Sequence, residues 1–228
     1  MSTKSICLYF QVHQPSRLRT FRFFDIGADD HYFDDFANGS IVRRIAANCY
    51  LPANRTILRL IEENGRKFKV TFSISGTAIE RFQKYCPEVI ESFRALAATG
   101  CVEFLAETCS HSLASLASPA EFKNQVKLHT KLIESVIGAK PTAFRNTELI
   151  YSDAIGEMVA SMGYTTMLTE GAKHILGWKS PDFVYTSAAN PKLKLLLKNS
   201  TLSDDIAFRF SNRSWESWPL TADKYAQW

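Results

Sequence analysis

The segment FRNTELIYSD, residues Phe144–Asp153, joins a predicted strand to a predicted helix. The apolar residues that end at Phe144 are typical of a short buried strand, and Asp153 precedes an apolar helical pattern as a capping residue. Glu148 therefore lies in a strand-to-helix loop. Because the loops that leave the carboxyl ends of parallel strands meet at one mouth, we expect the Glu148 carboxylate to face a cleft.

Strands and helices alternate on both sides of this segment. Apolar runs typical of strands cover residues 5–12, 68–74, 102–106, 141–144 and 165–168, with a further run at 193–197. Helical patterns separate them at 52–64, 87–98, 119–136 and 153–162, and shorter ones begin at Ser203 and Thr221. This alternation predicts an α/β fold with right-handed crossovers, as either an open sheet or a barrel.

Residues 16–54 interrupt the alternation with interleaved aromatic and acidic residues and one predicted helix near residues 40–51. An irregular segment of this length predicts an insertion that folds over the mouth of the strands. Aromatic rings beside carboxylates suit a sugar, because the rings stack on its faces while the acids bind its hydroxyls. The same composition would also suit a flap that binds a partner protein.

The composition excludes several classes of protein. With 46% hydrophobic residues among 228, the chain can bury a large core, and we expect one domain over residues 1–228. The net charge of +4 is scattered, without the basic run that is typical of nucleic-acid binding. No apolar run reaches the roughly 18 residues of a membrane helix, and none resembles a signal peptide.

The five cysteines are odd in number and form no Cys-x-x-Cys pair. This pattern predicts reduced, buried thiols rather than disulfides or zinc ligands, so we expect a soluble, cytoplasmic protein. The sequence leaves its oligomeric state open. Because the last residues stop within the helical pattern that begins at Thr221, we expect a domain truncated at its C-terminus.

Polar residues follow the predicted strands, where they would gather at the mouth: His13, Gln14, Glu103, Glu107, His111, Glu148 and Glu170. Acids and imidazoles in one cleft suit hydrolysis of a glycosidic bond, in which one carboxylate attacks or activates water and another donates a proton. They would also suit a metal held by His13, His111 and a carboxylate, although no His-x-x-x-His or cysteine-rich spacing supports one. No dinucleotide, phosphate-loop or Gly-x-Ser-x-Gly motif occurs.

Three of these segments, in this order, resemble the first three motifs of glycoside hydrolase family 57. They are HQP at residues 13–15, GCVEFL at 100–105 leading into HSL at 111–113, and FRNTEL at 144–149. The family comprises α-amylases, 4-α-glucanotransferases, amylopullulanases and branching enzymes. Single motifs of this kind are weak, but their order and their place at successive strand ends make the match specific.

The resemblance implies a distorted, TIM-like (β/α)7 barrel, incomplete in this chain, and retaining cleavage of α-1,4-glucans without a metal or other cofactor. Glu148 matches the family's nucleophile, and His13 and Glu103 match positions that hold the sugar at the point of cleavage. Gln14 and His111 would be neighbours in that shell. Two further substrate-binding candidates are Arg145 and Glu170.

The sequence departs from the family pattern in two respects. Members of the transferase branch tend to carry Trp three residues before the nucleophile, where this chain has Arg145, which favours an amylase-like enzyme. The family's proton donor is an Asp in an Asp-x-Glu-x-x-Gly motif, which does not occur here, so we expect residues 1–228 alone to be inactive. The alternatives are a metal-dependent, polysaccharide deacetylase-like hydrolase and a glucan-binding barrel without turnover.

Overall fold

The computed structural model describes residues 5–228, which form two compact units that divide between Thr147 and Glu148. The strands are β1 (Tyr9–Val12), β2 (Val70–Ile74), β3 (Val102–Phe104), β4 (Ala143–Arg145), β5 (Thr166–Glu170), β6 (Tyr185–Thr186) and β7 (Lys194–Lys198). The longer α-helices are α1 (Asp35–Ile45), α2 (Leu51–Glu63), α3 (Gly76–Tyr85), α4 (Pro87–Ala98), α6 (Pro119–Val136) and α7 (Asp153–Ser161). The shorter ones are α5 (Ala114–Ala117), α8 (Lys173–Leu176), α9 (Ser200–Asp204) and α10 (Ala222–Gln227).

The first unit is built on a parallel sheet in the order β1-β2-β3. Tyr9, Thr71 and Glu103 are in register across the three strands, and a parallel bridge from Ala106 to Phe144 links the chain beyond β3 to β4. The helices between the strands provide the crossovers that parallel pairing requires. The predicted α/β class with parallel strands is therefore confirmed.

The two faces of this sheet differ in polarity because successive side chains on a strand point to opposite faces. Phe72 and Phe104 lie on one face and pack against Phe93 of α4, with ring centroids 5.2 and 6.2 Å from it. This face is the centre of a buried apolar cluster that also includes residues of α2 and α3. The opposite face carries Gln11 and Ser73, and it leads to the polar residues described below.

Helices α1 and α2 belong to one continuous helical run, residues 35–63, with a π-helical turn at Ala46–Tyr50 between them. The run begins earlier than the helix predicted near residues 40–51, because the Asp34 carboxylate accepts a hydrogen bond from the Ala37 amide and caps it. Before it, Leu18 and Phe33 form an antiparallel bridge within residues 16–54.

Helix α3 was not predicted. It begins directly after β2, where the Ser75 hydroxyl accepts a hydrogen bond from the Ala78 amide. Gly76 and Thr77 are weak helix formers, so the start of α3 was not recognised, although Ser75 is a favourable cap. The predictions for α4 and α6 are confirmed with the same bounds.

The second unit contains β5 and β7, which pair in parallel, and the short β6, which pairs with β7 in the antiparallel sense and was not predicted. The cap of α7 is Ser152 and not Asp153, because the Ser152 hydroxyl accepts the hydrogen bond from the Ile155 amide. Across residues 5–228, no helix is both long and apolar enough to span a membrane.

Candidate active site

Four polar residues lie at one level where the strands of the first unit end. Continuing the register of β1 and β2 by one residue aligns His13 with Ser75. The pairing of β2 with β3 and the bridge to β4 align Glu107 and Arg145 with them. Side chains that are aligned across parallel strands point to the same face of the sheet, so these four side chains project from one face.

The Glu107 carboxylate is the centre of this polar cluster and is only 1% exposed. The Ser73 hydroxyl donates a hydrogen bond to Glu107 Oε1 at 2.9 Å. His111 Nδ1 lies 3.3 Å from Glu107 Oε2, and Arg145 Nη1 lies 3.7 Å from the same oxygen. A buried carboxylate is stable only when it has partners of this kind.

Helix α6 supports Glu107 from within the first unit through His129, which is fully buried. The Glu107 amide donates to His129 Nδ1 at 3.2 Å, and His129 Nε2 lies 2.7 Å from the Ile74 carbonyl oxygen. Because Nδ1 must accept and the carbonyl can only accept, His129 carries its proton on Nε2 and is neutral. Burial is the largest cause that lowers the pKa of His129, which favours the same state.

The environment of Glu107 favours its ionised form. Burial is the largest single influence and would raise the pKa of Glu107. The hydrogen bonds from His111 and Ser73, together with the charges near the carboxylate, outweigh burial. The pKa of Glu107 therefore lies below its ordinary value of 4.5. The cluster holds a buried negative charge beside the buried Arg145 guanidinium.

His13 and His111 form a stacked pair at the edge of the cluster, with ring centroids 4.2 Å apart and planes 24° apart. His13 Nδ1 lies 2.7 Å from the Ser75 hydroxyl, which fixes the orientation of the ring. His111 adopts a left-handed backbone conformation with φ of 53°. Such conformations are uncommon for residues other than glycine and cluster at functional sites.

Gln14 and Arg145 are more buried than the sequence suggested. Gln14 is 6% exposed and donates to the Tyr50 hydroxyl at 2.8 Å, and its Oε1 has no hydrogen-bond partner among residues 5–228. Arg145 is 2% exposed and donates from Nη2 to Gln11 Oε1 at 2.8 Å. The buried guanidinium therefore supports the cluster from inside the first unit.

Glu103 does not lie at the ends of the strands. It is in register with Tyr9 at the start of β1, and its exposed carboxylate accepts a hydrogen bond from Thr142. Glu103 lies four positions before Glu107, which corresponds to about 13 Å along a strand. The predicted placement of Glu103 beside His13 is therefore wrong, and Glu107 occupies that level.

Glu148 and Glu170 belong to the second unit, where both side chains are exposed. Glu148 has φ of 54° and Leu149 has φ of 58°, so two successive residues that are not glycine are left-handed. Each such residue costs about 1–2 kcal/mol and persists only where surrounding contacts impose it. Glu170 is the last residue of β5 and is in register with Lys198 of β7.

The metal site that His13, His111 and a carboxylate could have formed is not assembled. The two imidazoles stack on each other, with ring centroids 4.2 Å apart. Among residues 5–228, the one set of three or more ligand atoms from His, Cys, Asp or Glu within 4.8 Å of one another is Asp29, Asp30 and His31. Asp30 and His31 are exposed, and Asp29 already pairs with Arg19.

Comparison with known proteins decides the family. The model of glycosyl hydrolase family 57 matches residues 7–228, which is nearly the whole chain. The chain belongs to glycosyl hydrolase family 57. The resemblance that the three ordered motifs indicated is confirmed.

Relatives of this family 57 chain agree with the assignment. A Methanocaldococcus jannaschii protein named "Putative alpha-amylase" is 42% identical over 229 residues, which cover 98% of this chain and 47% of that protein. The 4-alpha-glucanotransferase of Thermococcus litoralis has a TM-score of 0.66 at 14% identity, over 89% of this chain and 29% of that one. The α-amylase AmyC of Thermotoga maritima has a TM-score of 0.63 at 13% identity, over 89% of this chain and 47% of that one.

The two structural likenesses show the fold alone, because their sequence identities are low. The family 57 chain spans about half the length of the curated relative that it matches. Sequence reasoning missed Gln11, Ser73, Ser75 and His129 as parts of the polar cluster. Polar residues at alternate positions of otherwise apolar strands, and a histidine on the buried stripe of α6, were the signals that could have found them.

Proposed function

We propose that this chain provides the nucleophile and part of the sugar-binding surface of a retaining, α-amylase-like glycoside hydrolase of α-1,4-glucans such as starch, glycogen and maltodextrin. Membership of family 57 supports a glycoside hydrolase, and the relative that is 42% identical supports the amylase-like direction. Arg145 supports it further, since the transferase branch tends to carry Trp there. The domain would be a (β/α)7 barrel of which this chain holds only a part, with residues 16–54 inserted over its mouth.

Glu148 is the proposed nucleophile, and one observation carries this assignment. The exposed Glu148 carboxylate is held by a strained, left-handed turn within the third motif of the family. Strain at a polar, exposed residue is typical of a functional position, because stability alone would favour glycine or asparagine there. Glu148 would attack the anomeric carbon, displace the leaving oxygen and form a covalent glycosyl-enzyme that water then hydrolyses.

A second carboxyl group must protonate the leaving oxygen and later activate the water. The family's motif for this Asp does not occur in residues 1–228, so we propose that it lies outside this chain. Residues 1–228 alone would then bind glucan without turning it over. Retaining hydrolysis by purified residues 1–228, abolished by Glu148→Gln, would contradict this part of the proposal.

The polar cluster would bind the sugar. His13, with its ring oriented by Ser75, and Gln14, with a buried oxygen that lacks a partner among the described residues, are suited to sugar hydroxyls. His111 would complete this surface by stacking on His13. Glu170, exposed at the end of β5, is a further candidate for a hydroxyl contact.

The test is the Glu148→Gln variant of the full-length protein, assayed on soluble maltodextrin. We expect kcat to fall by several powers of ten, since each 1.36 kcal/mol of lost transition-state stabilisation is about tenfold in rate. Glu157→Gln, an exposed change on α7, is the matched control and should keep the wild-type rate. A Glu148→Gln variant within tenfold of wild type would end the assignment, as would a covalent sugar adduct on a different residue.

A further inference from the structure

A cavity of about 280 Å³ opens in the first unit and shares no residue with the polar cluster. Two of its lining residues are aromatic and the other four are polar or charged: Tyr32, Phe33, Asp30, His31, Asp35 and Lys84. Five of the six come from residues 30–35, within the segment in which aromatic and acidic residues are interleaved. We refer to these six residues as the aromatic site.

A short antiparallel pairing holds the two rings of the aromatic site in place. Leu18 and Phe33 form a bridge, and the Arg19 amide donates a hydrogen bond to the Tyr32 carbonyl oxygen at 3.0 Å. Rings on a backbone that is already ordered lose less conformational freedom when a ligand binds. The aromatic site is therefore suited to binding a ligand without first rearranging.

Each of the two rings is supported on one face and is still about half exposed. The Phe21 ring stacks on Tyr32 with centroids 4.9 Å apart, and Arg19 lies over Phe21 at 4.7 Å from its centroid. Arg81 of α3 lies 5.5 Å from the centroid of Phe33. Tyr32 and Phe33 remain 52% and 45% exposed. The outer surfaces of these rings are thus available to a ligand while their inner faces are packed.

The polar residues of the aromatic site offer both donors and acceptors. Asp35 Oδ1 accepts from Lys84 Nζ at 2.8 Å and from the Tyr85 hydroxyl at 2.7 Å, so Oδ2 can accept from a ligand. The hydrogen bond between Lys84 and Asp35 is the largest cause that lowers the pKa of Asp35 and raises the pKa of Lys84, so both are charged at neutral pH. The Lys84 ammonium has three hydrogens and gives one to Asp35. A ligand whose hydroxyls both donate and accept matches this arrangement.

The lining favours a neutral sugar over other classes of ligand. Asp30 and Asp35 outnumber Lys84, so a phosphate or carboxylate would meet net negative charge when His31 is neutral. Charged residues are depleted at the centres of protein interfaces, whereas they line this cavity. A pyranose ring has a C–H face that packs on an aromatic ring, and its edge carries hydroxyls that bind acids and amines. The volume lies near the lower end of the roughly 300–1,000 Å³ of ligand pockets, which suits one ring of a longer chain.

We propose that the aromatic site binds a glucose unit of an α-glucan chain, as a second sugar site besides the polar cluster. Tyr32 and Phe33 pack on the sugar ring, and Asp35 and Lys84 bind its hydroxyls. A long chain that contacts both sites gains affinity without any change in the chemical step. The choice of an α-glucan rests on the proposed function, since the aromatic site by itself indicates only a sugar.

The test compares two substrates of the full-length protein, soluble starch and maltotriose, because a long chain has many more units with which to reach a second site. We expect Tyr32→Ala and Phe33→Ala to raise the ratio of KM for starch to KM for maltotriose at least about fivefold. Phe36→Ala removes a ring that is 87% exposed in the same segment but does not line the cavity, and it should keep the wild-type ratio. A general defect in folding would lower kcat for both substrates and leave the ratio unchanged. An unchanged ratio in both variants would overturn the proposal.

Photo-crosslinking tests the contact in the wild-type protein, without any substitution. A maltoheptaose that carries a diazirine should label the tryptic peptide of residues 23–43, and an excess of unmodified maltoheptaose should suppress this labelling. Labelling that is confined to other peptides would overturn the proposal. This experiment decides if the alanine variants do not fold.

Failure of this inference can be told apart from failure of the proposed function. If starch hydrolysis depends on Glu148 but the KM ratio does not respond to Tyr32→Ala, only the aromatic site is refuted. If hydrolysis survives Glu148→Gln, the proposed function is refuted, and competed labelling of residues 23–43 would still support the aromatic site. A changed sedimentation coefficient in the Tyr32→Ala and Phe33→Ala variants, with an unchanged KM ratio, would assign the rings to a protein interface and overturn the sugar assignment.

Discussion

The backbone amide of Glu107 donates a hydrogen bond to Nδ1 of His129, 22 residues along the chain, and thereby ties the segment that follows β3 to the middle of α6. His129 must be neutral for this bond to form, since a protonated Nδ1 could not accept. The position of the central carboxylate of the cluster therefore depends on the protonation state of a fully buried histidine. This dependence makes the stability of the first unit sensitive to pH.

Stability should fall as the pH drops below 6.5. Burial lowers the pKa of His129 from its usual 6.5, so below that pH the unfolded chain binds a proton that the folded chain excludes. The slope should approach about 1.4 kcal/mol per pH unit. Urea unfolding at several pH values between 5 and 7.5 measures it, and His129→Gln, which keeps an acceptor and a donor, should flatten the curve.

Glu107 adds a second loss of stability at lower pH. Its pKa in the folded state lies below 4.5, so the stability that it contributes is present above pH 4.5 and is lost as the pH falls through the folded value. Together the two groups predict a profile that declines from pH 6.5 downward. Equal stability at pH 7 and pH 5 would contradict the assignment of His129, and the absence of a further loss below pH 4.5 would contradict that of Glu107.

Glu107 and Glu103 offer a matched comparison four residues apart. Glu107→Gln leaves the buried Arg145 guanidinium without its ionic partner, and such changes cost about 3–5 kcal/mol. Glu103→Gln alters an exposed side chain and should change the free energy of unfolding by less than about 0.5 kcal/mol. Chemical denaturation of both variants checks the difference, and similar values for the two would show that the buried pair is not a major source of stability.

Gly76 is required by the close approach of the loop that follows Glu107. A Cβ at this position would clash with Cys109 Sγ and lie 2.7 Å from the Cys109 carbonyl oxygen. Gly76→Ala should therefore destabilise the protein by about 1–3 kcal/mol and shift the loop that carries His111. Gly138→Ala, which meets nothing within 4 Å but has φ of +81°, is the control for left-handed strain alone. A smaller effect at Gly76 than at Gly138 would contradict the steric argument.

The left-handed backbone of Glu148 can be tested without reference to catalysis. Both Glu148→Gly and Glu148→Ala remove the carboxylate, but only glycine adopts this conformation without cost. We therefore expect the glycine variant to be more stable than the alanine variant by about 1 kcal/mol, and both to lack activity. Thermal unfolding of the two variants provides the comparison. Equal stabilities would mean that residue 148 is not held in this conformation in solution.

The sequence could predict the elements of the fold because each depends on local patterns. Helix α6 begins at Pro119 and ends at Val136 as its proline, apolar stripe and following glycine indicate. The site was harder to predict from the sequence, because it depends on the register between strands that are distant in the chain. Glu103 lies on β3 and Glu107 lies four positions later with the same alternation, so only the pairing with β1 and β2 shows which of them reaches the level of His13.

The π-helical turn at Ala46–Tyr50 allows one helical run to present two differently oriented buried faces. One additional residue in the turn rotates the following helix by about 100° about its axis. Ile57 and Ile61 of α2 therefore enter the core from a different direction around the helix axis than Val42 of α1. Removing a single residue from this turn would restore an ordinary helix and swing those isoleucines out toward water. The length of this turn, and not only its composition, is thus part of what the fold encodes.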